Sequence, residues 1–370
     1  MTFIASAGGL VPFLFVVLAA AAVISLLLTP PIRRIAIRID AVDQPAQRRV
    51  NLTPVPRGGG VAVAASFVLV TLAVLLVNGA AGIVAIPSTI GPPELFGLIA
   101  GGIVATAFGV VDDYLDLRAR WQFLGQIGLA GIAILCGITV DFIQNPFGPR
   151  VIPFDGWVMV GFTVLWFVGM INSINFIDGL DGLSSGIGLI AAITLGLICL
   201  TTQVVQPFVA VLCFILGGAL LGFLRWNFHP ATIFAGTGGV MFLGYTLAVL
   251  SILGTAKVAV AMLILGVPII DAFWIIVRRL AQGRSPFSPD RGHLHHRLLD
   301  VGLSHRQTVL LIYGICVLLG LLAMLLTGST QLYAFIGVFF ATGFVLFILA
   351  RGGFEIDTPE FEDGPGDAKL

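Results

Sequence analysis

Eleven apolar stretches of bilayer-spanning or near-spanning length recur along this 370-residue chain, centred near residues 20, 68, 103, 130, 164, 194, 215, 246, 268, 318 and 341. A helix needs about 20 such residues to cross the hydrocarbon core. No water is available there to satisfy backbone N–H and C=O groups, so each run is expected to be helical. The chain is 58% hydrophobic and 10% charged, against about 25% charged in a soluble domain, so lipid must be the solvent for most of it. The expected fold is an all-α polytopic membrane protein with about eleven transmembrane helices.

The cations set the orientation. With the N-terminus outside, the inner loops hold Arg33, Arg34, Arg38, Arg48, Arg49, Arg57, Arg118, Arg120, Arg225, Arg278, Arg279, Arg284, Arg291, Arg297 and Arg306, and the C-terminal tail adds Arg351 and Lys369. Only Arg150 and Lys257 remain outside. The bias predicts a cytoplasmic C-terminus. The first cation, Arg33, follows the first apolar run, so that run reads as a retained helix and not a signal peptide.

Residues 1–350 read as a single transmembrane unit, and 351–370 as an acidic, disordered cytoplasmic tail. The outer stretch 141–156 carries Asn145-Pro146, Gly148-Pro149 and Asp155-Gly156, which predicts a small hairpin. Cys136, Cys199, Cys213 and Cys316 lie inside apolar runs and read as small buried hydrophobes. Formal net charge is zero, which gives no sign of a nucleic-acid partner.

Polar residues gather on the inner loops. Asp112-Asp113-Tyr114-Leu115-Asp116 closes the third run. Carboxylates at a helix C-terminus oppose the macrodipole unless a cation or proton relieves them. The alternative is a solvated boundary paired with Arg118 and Arg120. Asn172-Ser-Ile-Asn175-Phe-Ile-Asp178-Gly179-Leu-Asp181-Gly182 offers hard oxygen ligands of the type that suit Mg²⁺. A structural turn would not need so many polar groups. Asn227-Phe-His229-Pro230, with Phe234 and Gly236-Thr237-Gly238-Gly239 beyond it, opens the eighth helix. A Gly-rich helix start can hold phosphate, but such starts are common. Arg291-Gly-His293-Leu-His295-His296-Arg297 suits a pyrophosphate, a lipid headgroup or, less well, zinc. The first inner loop, from Asp43 through Arg57 to Gly60, reads alone as a positive-inside linker, or else as part of a phosphate-binding wall. Asp271, inside an apolar run, is expected to pair with Arg278 or Arg279 or to border the site.

Taken in chain order, these segments resemble the polyprenyl-phosphate N-acetylhexosamine-1-phosphate transferases of glycosyltransferase family 4, over about residues 10–350. Pro54-Val-Pro56-Arg57, the Asn227 run and Asp290-Arg-Gly-His-Leu-His-His-Arg297 look most like the branch that starts enterobacterial common antigen, teichoic acid or O-antigen. The resemblance implies transfer of a HexNAc-1-phosphate, GlcNAc-1-phosphate first, from a UDP-sugar to undecaprenyl or another polyprenyl phosphate, with UMP leaving. It implies Mg²⁺ or alternatively Mn²⁺ as cofactor, a site on the cytoplasmic face of the plasma membrane, and a homodimer as one possible assembly. The implied catalytic residues are Asp112, Asp113, Asp178 and Asp181, with Asp112 the first choice of base. Asn175, Asp113 and Asp181 would hold the metal. Asn227 and Phe234 would hold the uridine, Arg291, His293, His295 and His296 the sugar diphosphate, and Arg57 a phosphate.

Two positions depart from the family pattern. Thr237 stands where an Mg²⁺-binding Asp is usual, and Asn51 where a His is common. Either Asp113, Asn175 or Asp181 compensates for Thr237, or activity is reduced or absent. Three other readings stay open: a translocase-type activity on phospho-MurNAc-pentapeptide, a degenerate non-catalytic member, and a cation-coupled transporter. The transporter reading requires carboxylates near the bilayer midplane.

Overall fold

The computed structural model describes residues 7–44, 54–145, 147–148, 151–201, 205–254, 258–283, 285, 292–326 and 329–351. Among these, each of the eleven apolar centres falls in a helix. The helices are α1 (Ala7–Arg38), α2 (Gly60–Ala81), α3 (Pro92–Leu115), α4 (Ala119–Leu135), α5 (Gly156–Ile177), α6 (Leu183–Cys199), α7 (Pro207–Asn227), α8 (Gly236–Leu253), α9 (Val258–Ile264), α10 (Gly266–Ala281), α11 (Leu294–Asp300), α12 (His305–Leu325) and α13 (Ser329–Arg351). Two of them were not expected. The ninth run breaks after Ile264 into α9 and α10. Pro268, which lacks an N–H, sits in the first turn of α10, where no intrahelical donor is needed. The short α11 lies within the polar loop that carries the histidines.

Seven helices are long and apolar enough to cross a membrane, namely α1 from Leu10, α2, α3, α5, α7, α8 and α12, and shorter apolar helices occur at Leu183–Cys199 and Ser329–Phe344. The chain is thus an all-helical multi-pass membrane protein in its main body. The expected outer hairpin is present: β3 (Phe142–Gln144) pairs antiparallel with β4 (Val151–Pro153). A second ladder joins β1 (Val42–Asp43) to β2 (Val55–Pro56). The tail beyond Arg351, like Asn51, lies outside the described residues.

The bundle is built around α7 and α8, whose side chains are buried on nearly every face. Without a hydrophobic drive between helices in lipid, close packing must hold them, and small residues permit it. A Cβ on Gly218 or Gly222 of α7 would come within 2.2 or 2.1 Å of the Leu18 or Ala22 carbonyl oxygen on α1. One on Gly109 of α3 would meet the Gly238 backbone of α8 at 2.4 Å. Tyr245 of α8 donates from its hydroxyl to the Gly97 carbonyl of α3 at 2.7 Å. These contacts fix the end of α3 against the start of α8, which is where the site forms.

Candidate active site

At the ends of these helices lies a cavity of about 310 Å³. The α5–α6 turn supplies Asn175, Asp178 and Asp181, α3 supplies Asp113, the α7–α8 connection supplies Asn227, Phe234 and Thr237, the first loop Asp43 and Arg57, and α11 His296. Five separate segments therefore converge on one space.

Asp113 sits at the mouth of α8. Its Oδ1 accepts from the Thr237 N–H at 2.9 Å and its Oδ2 from the Gly238 N–H at 3.3 Å. The first N–H groups of a helix lack intrahelical partners and carry its positive end, so a carboxylate is stabilised there. Asp112 behaves differently. Its buried carboxylate accepts from Gln122 Nε2 at 2.9 and 3.1 Å and from the Leu117 N–H at 3.2 Å. It is not among the residues lining the cavity. Neighbours on a helix point about 100° apart, so only one of the pair can face the site. The residue expected as the base instead anchors the start of α4, and Asp113 takes the cavity.

The α5–α6 turn is shaped by Gly182, whose φ of +78° favours glycine. The Gly182 carbonyl accepts a short hydrogen bond from the Tyr313 hydroxyl of α12. Asp178 accepts one from the Ser184 hydroxyl. Burial, and then the charges of Asp113 and Asp181, push Asp178 from 3.8 up to about 7, against the opposing pull of Ser184 and Arg57. Asp181 places one oxygen, Oδ2, 2.7 Å from His229 Nδ1 and 3.0 Å from the Ala231 N–H.

His229 was quoted in the sequence motif without a role. The Asp-to-His spacing gives no signal for it, because the partners are 48 residues apart. Its ring stacks on His305 of α12 at 4.1 Å and 21°. Among the described residues, Asp181, His229 and His305 offer ligand atoms within 4.8 Å of one another. Imidazole lone pairs lie in the ring plane, so two nearly parallel rings cannot both aim at one ion. We read this group as a hydrogen-bonded stack that braces Asp181.

Asn227 is buried and its amide is fully engaged: Oδ1 accepts from the Ser185 hydroxyl at 2.8 Å and Nδ2 donates to the Ile233 carbonyl at 3.1 Å. It closes the 227–233 loop while bordering the cavity. Phe234 extends the first-loop hairpin: its N–H donates to the Pro56 carbonyl and its carbonyl accepts from the Gly59 N–H, both at 2.8 Å. That docking brings Arg57 over the cavity, where it pairs with the buried carboxylate of Asp43.

Of the histidines, only His296 lines the cavity. His295 is buried behind it, and neither ring nitrogen has a hydrogen-bond partner among the described residues. Burial, then the charges of His296, His293 and His305, hold its pKa well below the ordinary imidazole range, so it is neutral. His293 Nδ1 lies 2.7 Å from Asp271 Oδ2. The expectation that Asp271 would pair with Arg278 or Arg279 or border the site thus gives way to a histidine partner, and Asp271 is not among the lining residues. Arg291 lies outside the described residues.

Asp43, Asp113, Asp178 and Asp181 face Arg57 across this space, with Asn175 adding an amide oxygen. Such a set of hard oxygens, with one member pushed up to about 7 chiefly by burial and then by its carboxylate neighbours, is suited to a divalent cation. A stability consequence follows. Asp178's folded pKa is above its unfolded value of 3.8. Asp178's contribution to the stability of the metal-free protein is therefore fully present below about pH 4, is lost as pH rises to about 7, and is constant beyond. Melting of chelator-treated protein in detergent should fall between pH 5 and 8. Asp178→Asn should flatten that fall.

The family model for glycosyl transferase family 4 matches residues 95–255, which include Asp113 and the α5–α6 turn. A Bacillus subtilis protein named "Probable undecaprenyl-phosphate N-acetylglucosaminyl 1-phosphate transferase" is 38% identical over 311 residues, covering 82% of each chain. A decaprenyl-phosphate N-acetylglucosaminephosphotransferase of Mycobacterium tuberculosis is 36% identical over 79% of this chain and 77% of its own. An undecaprenyl-phosphate alpha-N-acetylglucosaminyl 1-phosphate transferase of Thermotoga maritima is 29% identical over 90% of this chain and 97% of its own. Similarity of this extent establishes that the chain belongs to glycosyl transferase family 4.

Proposed function

We propose that the chain transfers GlcNAc-1-phosphate from UDP-GlcNAc to a polyprenyl phosphate of undecaprenyl type, releasing UMP, with Mg²⁺ bound at the cytoplasmic face. The observation that supports it is the cavity itself, where carboxylates from the first loop, α3 and the α5–α6 turn meet Arg57 and His296 beside Phe234. These groups stand at helix ends, where a water-soluble donor and a lipid-anchored acceptor can meet. The cation bias of the inner loops supports eleven crossings with the N-terminus outside. The transporter reading needs carboxylates near the midplane, whereas the carboxylates lining the cavity stand at helix ends and in loops.

In the proposed reaction an oxygen of the lipid phosphate attacks the β-phosphorus of the UDP-sugar, and the bond to the UMP oxygen breaks. The attacking oxygen is already ionised near neutral pH, its second pKa being about 6, so positioning matters more than a base. That relaxes the need for Asp112 and agrees with its engagement by Gln122. Asp113, Asn175, Asp178 and Asp181 would hold Mg²⁺, which when bound neutralises charge developing on the phosphates. Arg57, held by Asp43, would oppose the negative charge from the first-loop side. Phe234 offers a half-buried ring for the uracil.

The test is UMP release by purified protein with polyprenyl phosphate, a panel of UDP-sugars and Mg²⁺ or Mn²⁺. No release with any donor would end the proposal. Thr237 supplies one further handle. It bonds Asp113 through its N–H and its side chain, beside the carboxylate cluster. Thr237→Asp adds a charged ligand, and the Mg²⁺ concentration for half-maximal rate should fall about tenfold, as ligand charge count dictates. Activity in Thr237→Asp with none in the parent would identify a degenerate member instead.

A further inference from the structure

Three histidines reach α11, but they do different things. His296 lines the cavity. His295 is pressed on the α5–α6 turn, so that a Cβ on Gly179 would come within 2.2 Å of its Nε2. His293 points the other way, into the protein. Its Nδ1 lies 2.7 Å from Oδ2 of Asp271, while Oδ1 of the same carboxylate accepts from the Leu294 N–H at 2.8 Å. Asp271 is 1% exposed and stands in the middle of α10. A carboxylate so buried is retained only where both oxygens are satisfied, and here residues 293 and 294 supply the donors. The His293 ring also packs against Phe176 of α5 at 5.8 Å and lies nearly parallel to His295, 13° apart at 5.5 Å. His295 in turn contacts His296 at 4.3 Å.

Resting on the function proposed above, we infer that Asp271 and His293 form a buried latch that positions His295 and His296 against the cavity, so that His293 is a positioning residue and not a substrate contact. The latch ties α10 to the first turn of α11. From there the stacked rings carry its position to Gly179, next to Asp178 and Asp181. Removing either partner leaves the other buried without its mate, and α11 loses the donor-acceptor pair that seats it. His296 would then no longer be held at the cavity, and the expected loss is in binding of the sugar nucleotide.

Two measurements on full-length protein in nanodiscs test this. The first is the KM for UDP-GlcNAc in UMP release. The second, independent of activity, is hydrogen exchange of the amides of residues 294–300. Asp271→Ala and His293→Ala should each raise KM about tenfold and speed that exchange about tenfold, the scale of a lost hydrogen bond to a charged group. The double variant should lose no more than either single one, because one contact is removed. His293→Asn restores a donor near the Nδ1 position without the ring, and should stay within about threefold of the parent on both readouts. If His293→Asn raises KM as much as His293→Ala, the ring touches substrate and the latch is overturned. Unchanged exchange in both alanine variants also overturns it. Should Asp271→Ala fail to fold, the two His293 variants decide. A parent protein that releases no UMP sinks the proposed function alone, and exchange still judges the latch.

Discussion

Asp181→Asn is expected to lower UMP release about 10³-fold, the lower end of what one positioned charge contributes to phosphoryl transfer, with little change in melting temperature. The substitution keeps shape and removes charge. Asn can still accept from the Ala231 N–H and face the His229 ring, so the 227–233 loop remains closed. The cavity loses one of its four carboxylates, and the one whose second oxygen stays free of the His229 and Ala231 contacts. Asp112→Asn provides the contrast. Its carboxylate is engaged by Gln122 and the Leu117 N–H away from the cavity. Its loss should be about tenfold at most, the scale of a supporting hydrogen bond. Steady-state rates of both variants at saturating Mg²⁺ check the pair, and an Asp112 loss equal to that of Asp181 would contradict the placement of the site.

The difference between Asp112 and Asp113 shows where sequence reading stops. Helices were legible because lipid leaves the backbone no other option, and apolar runs of the required length are hard to mistake. The polar segments were legible because charged and amide groups near membrane depth must find partners. Helix phase at the last turn of α3, however, is set by how Gly109 meets Gly238 and how Gln122 turns back from α4. Nothing local in Asp112-Asp113 encodes either. The pairing of Asp271 with His293 was missed for the same reason. Arginines lay at the near end of the same helix, and only the fold brings α11 across α10. Asn227, expected to hold the uridine, borders the cavity. Its amide, though, is committed to Ser185 and Ile233, a commitment that needs the α6–α7 packing to be seen.

Gly179→Ala is expected to reduce activity about 5- to 150-fold through sterics alone, since overpacking by one methyl costs on the order of 1–3 kcal/mol and displaces the groups beside it. Backbone strain is not the cause, because Gly179 has no left-handed φ. The new Cβ would lie 2.2 Å from His295 Nε2, 2.9 Å from Cε1 and 3.1 Å from Cδ2. The ring has no room to yield. It is buried to 1% exposure, with His293 on one side and His296 on the other. The turn must move instead, and with it Asp178 and Asp181, one residue before and two after. Adding His295→Ala to Gly179→Ala removes the obstructing ring and should return the melting temperature to near that of the parent. If that double variant also regains the parent's rate, His295 serves only to fill space. If it stays slow while melting normally, the ring is required at the cavity wall. A Gly179→Ala protein with the parent's rate would show that His295 does not rest on the turn at all.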